Sequence, residues 1–214
     1  MRYRLVIFDY DGTLVDSLPW FIATQPLVAA QFGLRPLRPE EMPALRQLNS
    51  REVLRSIGVP SWKLPALTLE LRARKRAAAG RIPLHPGIAE AVGELHAAGI
   101  RLAIVSSDSP ESIRQGLGSL AALIGHIGGG ATLFGKAGAL RRALRAMAVP
   151  PAAAIYIGDE SRDAEAAAKA GLAFGAVAWG YAAPDLLRAL DPLEWFTEPA
   201  TLLRLAADPS GVVC

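Results

Sequence analysis

The chain has 214 residues, 51% hydrophobic and 20% charged, with a formal net charge of +3. That length buries a substantial core and suits one domain with an insertion or two small ones, and the composition excludes extended disorder. The charge comes from scattered arginines; the one dense run, Arg72, Arg74, Lys75 and Arg76, lies in an Ala/Leu-rich helical pattern and reads as a solvated helix face, so no nucleic-acid partner is expected.

In chain order, the first element is an apolar run from Arg4 to Phe8 that reads as a buried strand and stops at Asp9-Tyr10-Asp11-Gly12-Thr13. Carboxylates two apart in an extended segment point the same way, so Asp9 and Asp11 are expected to share one small space. Like charges that close need a cation or a proton to neutralise them, and a hard divalent metal with oxygen ligands is the obvious neutraliser. The plain alternative is an acidic turn with Gly12 at its corner.

Residues 16–82 show helical patterns only: Leu18 to Phe32, Glu40 to Leu48, Ser50 to Ile57 and about Trp62 to Ala79. Asp16 and Ser17 are placed to cap the first, and Asn49 with Glu52 forms a capping-box pattern for the third. Prolines at 26, 36, 39, 43, 60 and 65 predict short or kinked helices. From His85 onward short apolar runs alternate with helices. Gly87 to Ala98 is a helix, Arg101 to Val105 a strand, Pro110 to Leu117 and Gly135 to Ala148 helices. Ala153 to Ile157 is a strand, Ser161 to Ala170 a helix, Ala173 to Ala178 a strand, and a short helix-strand-helix succession comes last. Such alternation predicts an α/β fold with a parallel sheet covered by helices on both faces. The first strand is too apolar to stand outside that sheet.

Open parallel sheets bind ligands beyond the carboxyl ends of their strands. Beyond Val105 come Ser106, Ser107 and Asp108; beyond Ile157 come Gly158, Asp159 and, further on, Asp163. Lys136 opens the helix that comes after a glycine-rich stretch, Gly125 to Gly130, which is expected to leave its presenting loop mobile. Each type has work in phosphoryl transfer. One carboxylate attacks phosphorus, a second moves protons, Mg2+ offsets the repulsion between anions, and a hydroxyl and an ammonium hold phosphoryl oxygens.

These segments resemble the four motifs of the haloacid dehalogenase-like hydrolase superfamily, and the layout is similar to its phosphoglycolate-phosphatase-like branch with a helical cap. Asp9-Tyr10-Asp11-Gly12-Thr13 resembles the first motif, Ile104-Val105-Ser106-Ser107 the second, Lys136 the third, and Gly158-Asp159 through Asp163 the fourth. Leu84-His85-Pro86-Gly87 resembles the family's return from cap to core. The resemblance implies a Rossmann-like core over residues 1–15 and 83–214 and an all-helical cap over 16–82. It implies that Asp9 is nucleophile and metal ligand, and that Asp11 is the acid/base, with its backbone carbonyl on the metal. Ser106 and Lys136 would hold the phosphoryl group, Asp159 would bind Mg2+, and Asp163 would approach the metal or act through water and Lys136. Cap residues Arg46, Asn49 and Arg51 are candidates for the organic part of the substrate. The family commonly follows its lysine with proline, whereas Ala137 and Gly138 stand here.

The expectation is therefore a Mg2+-dependent phosphatase acting on a small phosphorylated metabolite. A phosphomutase of the beta-phosphoglucomutase type is the alternative, and a receiver-like phosphate-binding protein a more distant one. Ser107 and Asp108 are read as organising the next turn, and His85, His96 and His126 as lacking a catalytic role. With a single cysteine, Cys214, no intramolecular disulfide is possible, and no signal or membrane segment is evident. A cytoplasmic monomer or homodimer is expected.

Overall fold

The structure, a computed structural model, describes residues 2–130 and 135–207. Cys214 and residues 131–134, on the approach to Lys136, lie outside the described residues. Among those described, β1 (Leu5–Phe8), β2 (Arg101–Val105), β3 (His126–Gly128), β4 (Ala154–Gly158), β5 (Ala173–Val177) and β6 (Glu194–Phe196) form one parallel sheet in the order β3-β2-β1-β4-β5-β6. The chain thus starts at the centre and builds outward on both sides, which makes the carboxyl end of β1 a topological switch point.

Strand periodicity divides the core into two layers. Val6, Phe8, Leu102, Ile104, Ile155 and Ile157 share one cluster with Ile88, Val92 and Leu95 of α5 (Ile88–Ala97) and with Leu202 and Leu205 of a 3-10 helix, Pro199–Leu205. Leu5, Ile7, Ala103, Val105, Ala154 and Tyr156 belong to the other, with Leu140 and Ala143 of α7 (Lys136–Ala146) and Ala167 of α8 (Ser161–Ala170). All four β1 side chains are fully buried. Each contributes about 1.5–3 kcal/mol by leaving water, which makes β1 a rigid base for the acidic loop at its carboxyl end.

The chain leaves this core after Val15 and returns at Leu84; the two residues pair antiparallel, and Asp16 N donates to Pro83 O at 2.9 Å. Between them lie α1 (Leu18–Gln31), α2 (Met42–Leu45), α3 (Ser50–Ser56) and α4 (Leu64–Ala78). The capping box at Asn49 forms as the sequence predicts: its side chain accepts from Arg51 N and Glu52 N, and the Glu52 carboxylate accepts from Asn49 N. The remaining helices are α6 (Pro110–Leu117) and α9 (Pro184–Arg188).

The structure corrects several local expectations. The helix expected from Glu40 to Leu48 is a 3-10 turn, Pro39–Glu41, followed by the short α2, because Pro39 and Pro43 interrupt backbone donation. The last helix is 3-10. Part of the glycine-rich stretch before Lys136 is β3, an edge strand held by backbone pairing with β2, which needs no apolar alternation. Ser17 occupies the N-cap position of α1 without a capping bond; its hydroxyl is used elsewhere.

Candidate active site

Strand pairing continues one residue beyond β1: Asp9 N donates to Ile157 O at 2.8 Å, which fixes Asp9 at the sheet edge. Its carboxylate is 2% exposed; Oδ1 accepts from Tyr10 N at 2.8 Å and Oδ2 from Lys136 Nζ at 2.7 Å. Burial raises the Asp9 pKa to about 6, against the opposing pull of Lys136 and with help from Asp163. Lys136, the first residue of α7, also donates to Asp163 Oδ1 at 2.6 Å. Burial alone would lower the Lys136 pKa, but the two carboxylates outweigh it and hold the ammonium protonated.

Beyond β4, Asp159 is fully buried; Oδ1 accepts from Thr13 Oγ1 at 2.8 Å and Oδ2 from Tyr181 N at 2.7 Å. Burial and then the acids Glu160, Asp163 and Asp9 raise its pKa well above the usual carboxylate range. Asp163 behaves oppositely. Burial would raise it too, but Lys136, Arg162 and the Glu160 backbone N–H hold its pKa below the usual value. Its two oxygens are taken up by Lys136 and Tyr156 on one side and by the Asp159 and Glu160 backbone on the other. Asp163 thus meets Lys136 directly, without an intervening water.

Asp9, Asp159 and Asp163 each offer a carboxylate oxygen, and these lie within 4.8 Å of one another. Three buried carboxyls this close, one of them strongly disfavoured as an anion, could hold a cation with hard oxygen ligands. Because Asp163 already has four donors, Asp9 and Asp159 are the carboxylates left to face an ion.

The turn between Asp11 and Thr13 is packed against Asp159. Gly12 adopts φ +71°, and a Cβ there would lie 2.2 Å from Asp159 Oδ2; a Cβ on Gly180 would lie 2.1 Å from Asp159 Cβ. Only glycine lets backbone come this close from two sides. Trp179 Nε1 donates to Thr13 O at 3.0 Å, and His85 Nε2 lies 3.1 Å from Gly12 O, which requires its proton on Nε2. His85 therefore braces the turn, as a structural group.

Ser106 stands at the end of β2 with 1% exposure; its Oγ accepts from Asp108 N at 3.2 Å, leaving the hydroxyl proton to donate. Ser109, not Ser107 or Asp108, caps α6. Asp108 turns its carboxylate to the helical segment instead, with Oδ2 2.7 Å from Lys75 Nζ.

Asp11 is held from the same side. Ser17 Oγ donates to Asp11 Oδ1 at 2.7 Å and lies 3.0 Å from Tyr181 Oη, and Lys75 Nζ also donates to Asp11 Oδ1. Lys75, read in the sequence as part of a solvated face, is 7% exposed. Its helical spacing from Leu71 and Ala78 is the available signal. The loop after β5 is the other element missed: Gly180 and Tyr181 lie at a strand end, where the same rule that located Ser106 and Asp159 applies.

Of the three cap residues expected near substrate, Arg46 donates from Nε to Tyr181 O at 2.9 Å and from Nη2 to Gly180 O at 3.0 Å, clasping that loop. Asn49 caps α3, and Arg51 has an exposed side chain. The helical segment reaches the carboxylates through Ser17 and Lys75.

A family model described as haloacid dehalogenase-like hydrolase matches residues 6–177. A phosphoglycolate phosphatase of Synechococcus elongatus is 36% identical over 207 residues, 94% of this chain and 96% of the relative. An N-acetylmuramic acid 6-phosphate phosphatase of Pseudomonas putida is 28% identical over 86% of this chain and 87% of its own length. Among solved structures, a haloacid dehalogenase-like family hydrolase from Streptococcus pneumoniae superposes with a TM-score of 0.80 at 20% identity, covering 95% of this chain and 98% of that one. No helix among the described residues is long and apolar enough to cross a membrane.

Proposed function

The chain belongs to the haloacid dehalogenase-like hydrolase family and is a phosphatase of it, and from that premise we propose that it is a Mg2+-dependent phosphomonoesterase in which Asp9 is the nucleophile and Asp11 the acid/base. The substrate is a small phosphorylated metabolite, with 2-phosphoglycolate the first candidate because it is the named substrate of the 36% relative. The core covers residues 1–15 and 83–214 and the cap residues 16–82. The observation that carries the reading is the buried trio Asp9, Asp159 and Asp163 with Lys136 between two of them.

Asp9 and Asp159 would hold Mg2+ together with the Asp11 backbone carbonyl. When bound, the ion supplies positive charge that offsets repulsion between a carboxylate nucleophile and a phosphate. Asp9 attacks phosphorus, a bond forms to its carboxylate oxygen, and the ester oxygen departs with a proton from Asp11. Asp11 then takes a proton from water as that water's oxygen attacks phosphorus, and the Asp9–phosphorus link breaks to give inorganic phosphate. Ser106 and Lys136 hold the equatorial oxygens as charge develops there. Asp163 is a positioning residue: it keeps Lys136 charged and aimed at Asp9. The cap excludes bulk water during the first step.

The test is phosphate release from a panel of metabolite phosphates with and without Mg2+. Wild type should turn over at least one short phosphomonoester only with the metal, and Asp9→Asn should lower kcat by about 10^4-fold or more with the melting temperature retained. Turnover by Asp9→Asn at near wild-type rate would remove Asp9 from the nucleophile role.

A further inference from the structure

Lys75 is a cation that the cap brings to the acids, beside the Ser17 hydroxyl. Of the other charged residues of α4, Glu70, Arg72 and Arg74 are half-buried and Arg76 is exposed, whereas Lys75 and Ala78 turn fully inward, and the Lys75 ammonium lies 5.3 Å from the centroid of the Tyr10 ring. It bridges two core segments, donating to Asp11 beyond β1 and lying 2.7 Å from Asp108 beyond β2. The Asp108 contact is Coulombic: its buried Oδ2 has no aligned hydrogen-bond donor. An ammonium has three donors, so Lys75 has N–H groups to offer an incoming anion.

The position matters because of what Asp11 must reach. Its carboxyl has to meet the oxygen that leaves phosphorus, so whatever the substrate carries next to that oxygen comes to lie beside Lys75. In this structure the ammonium is on Asp11 and competes with the leaving oxygen for it. A carboxylate on the adjacent carbon offers Lys75 a charged acceptor in exchange. A dianionic phosphate at that place would need more than one cation, and an uncharged substituent would leave Lys75 on Asp11.

We propose that Lys75 determines specificity: its ammonium passes from Asp11 to a carboxylate carried by the substrate next to the leaving oxygen, anchoring the organic end and releasing Asp11 for proton transfer. The assignment rests on the phosphomonoesterase reading above. It explains why an amine from the cap is buried against an acid/base residue of the core.

The experiment compares 2-phosphoglycolate with ethyl phosphate, which lacks the carboxylate, in wild type, Lys75→Met and Lys75→Arg. Wild type should prefer phosphoglycolate in kcat/KM. Lys75→Met should lose about 30- to 100-fold on phosphoglycolate, whereas ethyl phosphate, for which Lys75 only competes with the leaving oxygen for Asp11, should be turned over at least as fast as by wild type. Lys75→Arg should recover part of the preference. Glycolate should inhibit wild type competitively, and Lys75→Met at least about tenfold more weakly. Ethyl phosphate turnover also reports that the variant is folded. Parallel loss on both substrates, or an undiminished preference in Lys75→Met, overturns the assignment. A wild type that handles the two esters equally overturns it while leaving the phosphatase reading intact; a wild type inert toward every phosphomonoester removes both.

Discussion

At the scale of single residues, the site is governed by what burial does to carboxyls. Asp9 binds its proton more tightly in the folded chain than in the unfolded one, because desolvation exceeds the pull of Lys136. A carboxyl raised in this way contributes stability below its unfolded pKa of about 4, and that contribution is lost as pH rises through the folded value of about 6. Asp159 shifts in the same direction. Above that window the metal-free protein carries the Asp9 anion beside Asp163, which Mg2+ relieves; below it the ion must displace a proton from Asp9. The rise in melting temperature on adding Mg2+ should therefore be larger at about pH 7.5 than at about pH 5, as differential scanning fluorimetry would read it. An equal or larger rise at the lower pH contradicts this account of Asp9 and Asp159.

The same residues explain what the sequence made legible. Asp9, Ser106 and Asp159 come directly after buried strands, so the strand-end rule finds them from pattern alone. Lys75 stands in a run with Arg72, Arg74 and Arg76, and composition cannot say which of four cations turns inward; only the phase of α4 does. Ser17 resembled a helix cap because a hydroxyl before a helix usually is one. Here Asp11, six residues earlier, is the better acceptor.

Among elements, those fixed by apolar periodicity were readable with nearly the right ends: β2, α6 and α8 match the sequence pattern residue for residue. β3 was hidden because His126-Ile127-Gly128 is held by its partner strand rather than by its own pattern. The loop after β5 was hidden because its work is done largely by backbone, with Tyr181 N and the Gly180 and Tyr181 carbonyls making the contacts. How tightly elements meet is visible only in three dimensions. Gly116 of α6 faces Tyr10, and a Cβ there would lie 1.9 Å from the Tyr10 hydroxyl. Tyr10 sits between Asp9 and Asp11, so α6 presses on the loop that carries both. Gly116→Ala should destabilise the fold by about 1–3 kcal/mol through overpacking and lower activity as Tyr10 moves. A urea midpoint unchanged from wild type would show that α6 yields without strain.

At the scale of the whole molecule, the helical segment between Val15 and Leu84 meets the sheet's acidic loop at Asp11, the proposed acid/base. Ser17 lies where the chain leaves the core, Lys75 on the helix that leads back to it, and both hold Asp11. Arg46 clasps the loop whose Tyr181 backbone binds Asp159, and Phe21 of α1 packs edge-on against the Tyr181 ring at 6.3 Å. The helical segment, Asp11 and the candidate metal ligand Asp159 are thus joined through direct contacts. The proposed division of labour between Asp9 and Asp11 can be read from the phosphoenzyme. Given a phosphoryl donor whose leaving group needs no proton, such as acetyl phosphate, Asp11→Asn should form the phosphoenzyme and fail to release it, because no group remains to deprotonate the water. After brief mixing with that donor and Mg2+ and an acid quench, intact-protein mass spectrometry should find one added phosphoryl group on most chains, mapped to the peptide containing Asp9 and absent from Asp9→Asn. Normal turnover by Asp11→Asn without a phosphoryl adduct, or an adduct mapped to a peptide lacking Asp9, would contradict the account.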